Sequence, residues 1–183
     1  MNIFNKHLKN SFEKKIDGSG LAIFRIVYSI VLLLEISHFF YFKELMFDPI
    51  PFLDPIIIKM SIPIVIWFFA VCMILVGLRT RFFTILNYLM SLILIASNQV
   101  FEYHVFYAYL GINFIIIFLP VSQCVSIDRL IKKLKYSNTS FQYNPSKKVR
   151  QIYYFLPLFI AVGLIYFDSI FHKIASPTWL RGL

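Results

Sequence analysis

The chain has 183 residues, 59% of them hydrophobic and 19% aromatic, with 15% charged residues, a mean hydropathy of +0.73 and a formal net charge of +9. A soluble domain carries about a quarter charged residues and about half apolar ones, so these figures exclude a disordered chain and argue against an ordinary soluble domain. They point to a bilayer, and the positive surplus must then be assigned to nucleic acid, to anionic lipid or to membrane topology.

A hydrocarbon core of about 30 Å needs about 20 mostly apolar residues per helix. Five stretches meet that need, at residues 20–42, 61–78, 82–99, 105–121 and 151–171. The expectation is an all-α integral membrane protein, a single domain built as a bundle of five transmembrane helices. The apolar runs are continuous rather than alternating, which disfavours spanning strands. The basic tail with Lys6, Lys9, Lys14 and Lys15 superficially resembles the start of a signal peptide. The apolar run behind it continues to Phe42 with no small-residue cleavage site, so it is read as the first span.

Between the first and second spans, Asp48, Pro49, Pro51, Asp54 and Pro55 forbid a continuous helix, and this loop is expected to lie in the interface. Arg79 and Arg81 occupy the turn after the second span. The stretch 122–150 carries Arg129, Lys132, Lys133, Lys135, Lys147, Lys148 and Arg150. Within it, Ile127, Leu130, Ile131 and Leu134 recur at helical spacing, which predicts a basic amphipathic helix on the anionic cytoplasmic leaflet. Residues 138–145 read as a polar connector. The tail, the Arg79 turn and 122–150 lie on one side of a five-span chain, whereas the other side has only Lys43, Lys59, Lys173 and Arg181. The N-terminus is therefore cytoplasmic and the C-terminus outside, and topology accounts for the charge without nucleic acid.

Ionisable groups within a span are costly and need a partner or a task. Helical rise puts Arg25 about 8 Å from the inner end of span one, where it can snorkel or bind a neighbouring helix, a structural role. Glu35 and His38 lie about 22 and 27 Å along the same helix, Asp168 about 26 Å along span five, and His172 and Lys173 about 32 to 33 Å along it. Glu102 and His104 belong to the short outer loop before span four. These residues gather toward the outer face from three separate stretches. Glu35 with His38, and Asp168 with His172, share helix faces; a carboxylate beside an imidazole fixes its tautomer and raises its basicity. A lysine withdrawn from water favours its neutral form, as a general base requires, while the alternative for Lys173 is anchoring in the headgroups. There is no HxxxH pair and no cysteine near these histidines, so no metal site is expected. The sequence has no GxGxxG, P-loop, GxSxG or CxxC motif, and Cys72 and Cys124 imply no disulfide framework.

Five ordered marks then carry a likeness. Residues 21–26 (LAIFRI) with Arg25, 77–81 (GLRTR) with Arg79 and Arg81, 103–107 (YHVFY) with His104, 126–128 (SID) with Asp128, and Lys173-Ile174 followed by Trp179-Leu180-Arg181-Gly182 resemble, in order, marks of one membrane family. It is the vitamin K-dependent gamma-carboxylase-like family, whose membrane part is called the horizontally transferred transmembrane (HTTM) domain. The resemblance implies that Lys173 is the base that deprotonates a reduced isoprenoid quinone of the vitamin K type, with His104 a second site residue. Their convergence on the outer side makes Glu35, His38, Asp168 and His172 supporting polar groups, and Arg25, Arg79, Arg81, Asp128 and Trp179 are expected to be structural. His172 stands where the carboxylases have a second lysine, and Tyr103 where they have asparagine.

The chain stops shortly after Trp179, without the parts that hold the peptide substrate in a carboxylase, and is expected to be a fragment or a minimal member. Two functions follow as expectations: quinol-linked oxidation or carboxylation in an outer-facing pocket, or a non-enzymatic accessory role in maturation or export of a secreted peptide toxin. The expected partners are the lipid bilayer and a secreted peptide or a partner membrane subunit, in a bacterial plasma membrane.

Overall fold

The computed structural model describes residues 12–47, 60–97, 104–137, 146–176 and 179, without the side chains of residues 104, 105, 158, 161, 164, 165, 168 and 172. The expectations for the proline-bearing loop at 48–59, for Glu102, for the connector at 138–145 and for Arg181 and Gly182 lie outside the described residues. The described chain is mostly helical, as the sequence predicts. Its elements are β1 (Lys15–Asp17), α1 (Ser19–Tyr41), α2 (Lys43–Phe47), α3 (Ser61–Val76), α4 (Thr80–Ser97), α5 (His104–Ile116), α6 (Ile127–Ser137), β2 (Lys148–Arg150) and α7 (Ile152–Ala175).

The apolar stretches form helices, but several ends differ from hydropathy alone. The stretch expected at 61–78 ends at Val76, because Gly77 takes the left-handed conformation (φ 73°) and its N–H turns back to the Met73 and Ile74 carbonyls at 3.0 Å each. The stretch expected at 105–121 leaves the α-helix after Ile116. There Phe118 N–H bonds to Ile115 O and Leu119 N–H to Ile116 O, a tightened last turn, and Pro120 follows without a donor. The last helix runs four residues beyond the expected 171, so His172 and Lys173 are helical. Pro63 sits in the first turn of α3, where its missing N–H costs little.

Two three-residue strands are an addition to the expected all-helical plan. β1 and β2 pair antiparallel, with Lys15 opposite Arg150, Ile16 opposite Val149 and Asp17 opposite Lys148. Gly18 N–H donates to Lys147 O at 2.8 Å and Gln151 N–H to Lys14 O at 2.9 Å, extending the ribbon at both ends. A Cβ on Gly18 would lie 2.8 Å from the Lys147 carbonyl, so the close approach requires glycine. The ribbon sets the starts of α1 and α7 side by side. Arg25, near the start of α1, reaches the turn after α3 and the chain leaving α5. The ends of five helices thus meet at one face, and α1, α3, α4, α5 and α7 alternate in direction.

Packing follows α1 on α3, α3 on α4, α4 on α5 and α5 on α7. Leu32, Ile36, Phe39, Ile64, Trp67, Val71 and Leu94 form one buried cluster, and Leu21, Ile115, Ile116, Leu119, Val121 and Val149 a second, nearer the shared face. On α4 burial runs opposite to that of a water-soluble helix. The inward stripe of α4 is Thr80, Thr84, Asn87 and Ser91, closed by Leu94, while its outward side shows Phe82, Ile85, Leu89 and Leu92. On α1, Arg25 and Ser29 are buried, whereas Ile23 and Leu34 are each 62% exposed. Among the described residues α1 and α4 are long and apolar enough to cross a membrane; α3 and the apolar part of α5 are shorter.

Candidate functional site

At the shared face, three of the five marks fold into one contact. Arg25 is 1% exposed, so its guanidinium must find acceptors inside the protein. Nη1 donates to Val121 O at 3.1 Å and Nη2 to Val125 O at 2.5 Å. Val125 presents its carbonyl from a positive φ of 45°, a conformation that strains a β-branched residue. Gly77 lies directly against the guanidinium: a Cβ there would be 2.6 Å from Arg25 Nη1 and 2.6 Å from Ser126 Cβ.

Asp128 completes the knot from the first turn of α6. Its carboxylate accepts from Arg79 N–H at 2.7 Å, from Thr80 N–H at 2.9 Å and from Thr80 Oγ1 at 2.9 Å. Its own N–H donates to Gly77 O at 2.9 Å. The start of α4 thus has its open amides capped by a carboxylate 48 residues away in sequence, which also faces the positive end of the helix dipole. Asp128 is also the negative charge whose field reaches Arg25. Arg79 takes part through its backbone, at a φ of 41°, and the Arg79 and Arg81 side chains are exposed. Ser126 Oγ accepts from Arg129 N–H at 3.1 Å at the head of α6, and Arg129 Nη1 donates to Gln123 O. Asp128→Ala is expected to lower stability by about 1 to 2 kcal/mol, the range of a lost helix cap, with Asp128→Asn recovering part of it. Thermal melting in detergent, followed by gel filtration of the folded fraction, measures both.

A second polar arrangement crosses the bundle interior. Trp67 Nε1 of α3 donates to Asn87 Oδ1 of α4 at 2.6 Å, Asn87 Nδ2 donates to Asn113 Oδ1 of α5 at 2.7 Å, and Tyr28 OH of α1 donates to that same oxygen at 2.9 Å. Four helices are joined by one chain of hydrogen bonds. Asn113 Nδ2 and Ser29 Oγ are buried beside it without partners among the described residues. Neither asparagine is ionisable, so charge does not mark them in the sequence. An amide in mid-span also needs a partner, and that signal was available.

The residues expected on the outer face do not form a comparable contact among the described residues. Glu35 is half-buried and His38 exposed on α1, and neither side chain has a hydrogen-bond or ion-pair partner among the described residues. Lys173 is exposed in the last turn of α7, its Nζ 4.9 Å from the centre of the Trp179 ring, a cation–π contact. His104 is the first residue of α5, and Asp168 and His172 lie within α7. The described contacts join Lys173 to Trp179 and do not join it to Glu35 or His38. No group of three or more His, Cys, Asp or Glu that could hold a metal occurs among the described residues.

Beside Glu35 and His38, a cleft of about 280 Å³ opens between α1 and α3, lined by Ile36, Ser37, Phe40, Ile64, Val65 and Phe68. Its one polar lining group, Ser37 Oγ, is spent on Leu33 O at 2.7 Å. Small-molecule sites start at about 300 Å³, so the cleft suits the apolar part of a ligand or a lipid chain rather than a whole cofactor. Comparison with known proteins finds no matching family model, no matching curated protein and no matching solved structure.

Proposed function

We propose that the chain is a five-span integral membrane protein of the carboxylase-like kind, working in a bacterial plasma membrane with the shared helix-end face toward the cytoplasm and an outer-facing site that binds a reduced isoprenoid quinone. The observation that carries this reading is the knot of Arg25, Gly77 and Asp128. Three stretches far apart in sequence, on which the family resemblance rests, meet in one buried contact, as fold-defining residues should. The apolar outward sides of α1 and α4, with a polar inner stripe on α4, support the bilayer as the surrounding medium. The alternation of five helices supports the five-span count, and the basic residues of the shared face support its orientation.

In this reading the cleft between α1 and α3 fits the isoprenoid part of the ligand, since its lining is almost wholly apolar. A reduced quinone supplies an acidic hydroxyl and two electrons. Lys173 takes the proton as base and His104 serves as the second polar group, roles that follow from the resemblance. The Trp179 ring beside Lys173 Nζ fixes where that side chain sits at the end of α7.

A second reading, a non-enzymatic accessory in toxin-peptide maturation or export, is favoured by α7. Tyr166, Phe167, Ile170, Phe171 and Ile174 are all exposed along its outer half, a surface suited to a partner membrane subunit. Mass spectrometry of the detergent-purified protein separates the two. The quinol reading expects bound isoprenoid quinone in the wild type and its loss in Lys173→Met and His104→Ala. Its absence from every sample would leave the accessory reading.

A further inference from the structure

From α6 we infer a lipid-recognition surface: Leu130, Ile131 and Leu134 seat in the headgroup layer of the inner leaflet while Lys132, Lys133 and Lys135 bind its anionic phosphates. The inference rests on the orientation proposed above.

Leu130, Ile131 and Leu134 of α6 have no cover among the described residues. Leu130 is 54% exposed, Ile131 49% and Leu134 62%, and every residue from Leu130 to Ser137 is exposed. The three lysines have no hydrogen-bond or ion-pair partner among the described residues. A helix with an uncovered apolar ridge beside an uncovered row of ammonium groups matches an interface that is apolar below and anionic above.

Its position is fixed independently of lipid. Asp128 and Gly77 O clamp the first turn of α6 to the α3–α4 turn, so the helix cannot drift away from the shared face. The ribbon adds Lys15, Lys148 and Arg150 at the same face, all exposed. Charge complementarity therefore favours a phosphatidylglycerol-type surface over a neutral one, and over an acidic protein, which would leave the apolar ridge wet.

The test uses the full chain with Cys72→Ala and Cys124→Ala, a bimane probe on Leu134→Cys, and nanodiscs of phosphatidylcholine with or without phosphatidylglycerol. Leu134 is exposed, so the probe disturbs no core contact. The expected result is quenching by brominated acyl chains and shielding from aqueous iodide in the anionic discs. A triple variant, Lys132→Gln, Lys133→Gln and Lys135→Gln, should regain iodide quenching several-fold, as should the parent protein in high salt. Equal iodide quenching in neutral and anionic discs would overturn the inference while leaving the membrane reading intact. Shielding from both quenchers would overturn it in favour of a protein cover. Labelling of Ser137→Cys by an impermeant maleimide in intact cells would instead show that the orientation itself has failed.

Discussion

Arg25→Ala is expected to be the most damaging single substitution in the described chain, lowering stability by about 3 kcal/mol or more. The change removes a 1%-exposed side chain, leaves a cavity and strands the Val121 and Val125 carbonyls that the guanidinium satisfies. Those carbonyls belong to the chain leaving α5, so α1 loses its hold on α5 and on the α3–α4 turn together. Arg25→Lys should recover only part of the loss, because one ammonium cannot reproduce the two-pronged geometry of a guanidinium. Arg25→Met fills the volume without charge and separates the packing contribution from the hydrogen bonds. Melting of the detergent-solubilised protein, with gel filtration to count folded monomer, orders these variants; equal stability of Arg25→Ala and wild type would remove the knot from the account.

Gly77→Ala is expected to be nearly as severe, at about 2 to 4 kcal/mol, from two causes that add. An L-residue at φ 73° pays about 1 to 2 kcal/mol in the left-handed region. The new Cβ also lies 2.6 Å from both Arg25 Nη1 and Ser126 Cβ, distances that force one of them to move. The double variant Arg25→Ala with Gly77→Ala should therefore cost less than the two single losses combined, since removing the guanidinium relieves one of the two clashes. Strict additivity would mean that the glycine matters for its backbone conformation alone.

Much of this architecture is legible in the sequence, and the failures have identifiable causes. The apolar runs locate the long helices because each run is continuous and flanked by charge or proline. Helix ends were misjudged where a distant group decides them. Hydropathy continues through Val121, but α5 stops at Ile116, and the carbonyls beyond it are taken by Arg25, 96 residues away from Val121. Likewise α4 begins two residues earlier than expected because Asp128 caps it from another element. β1 and β2 are three residues each and charged, too short for any periodicity to show. α6 was fully legible, since its pattern of Leu130, Ile131 and Leu134 against lysines is local.

The residues expected on the outer face share a height along their helices. Height says nothing about azimuth, and azimuth decides which side chains meet. The buried stripe of α1 passes through Arg25, Ser29, Leu32, Ile36 and Phe39. Glu35 sits at its margin and His38 outside it, which is why neither points into the bundle. The interior chain from Trp67 to Tyr28 is unmarked in the sequence for a related reason: an isolated asparagine in an apolar run carries no charge. In a bilayer such an amide gains less per bond than its burial suggests, about 0.6 kcal/mol on average, but four helices share these bonds, and their joint effect is on register.

The opposite ends of α7 test the central claim most directly, because that claim places the ribbon and the knot inside the cell and Lys173 outside it. With Cys72→Ala and Cys124→Ala as background, a membrane-impermeant maleimide is applied to intact cells expressing Lys148→Cys or Ala175→Cys, both exposed positions flanking the 24-residue helix. The account predicts that Ala175→Cys is labelled at once and Lys148→Cys only after the cells are permeabilised. Labelling of Lys148→Cys in intact cells would contradict it, placing the basic face outside and removing the basis for an outer site at Lys173.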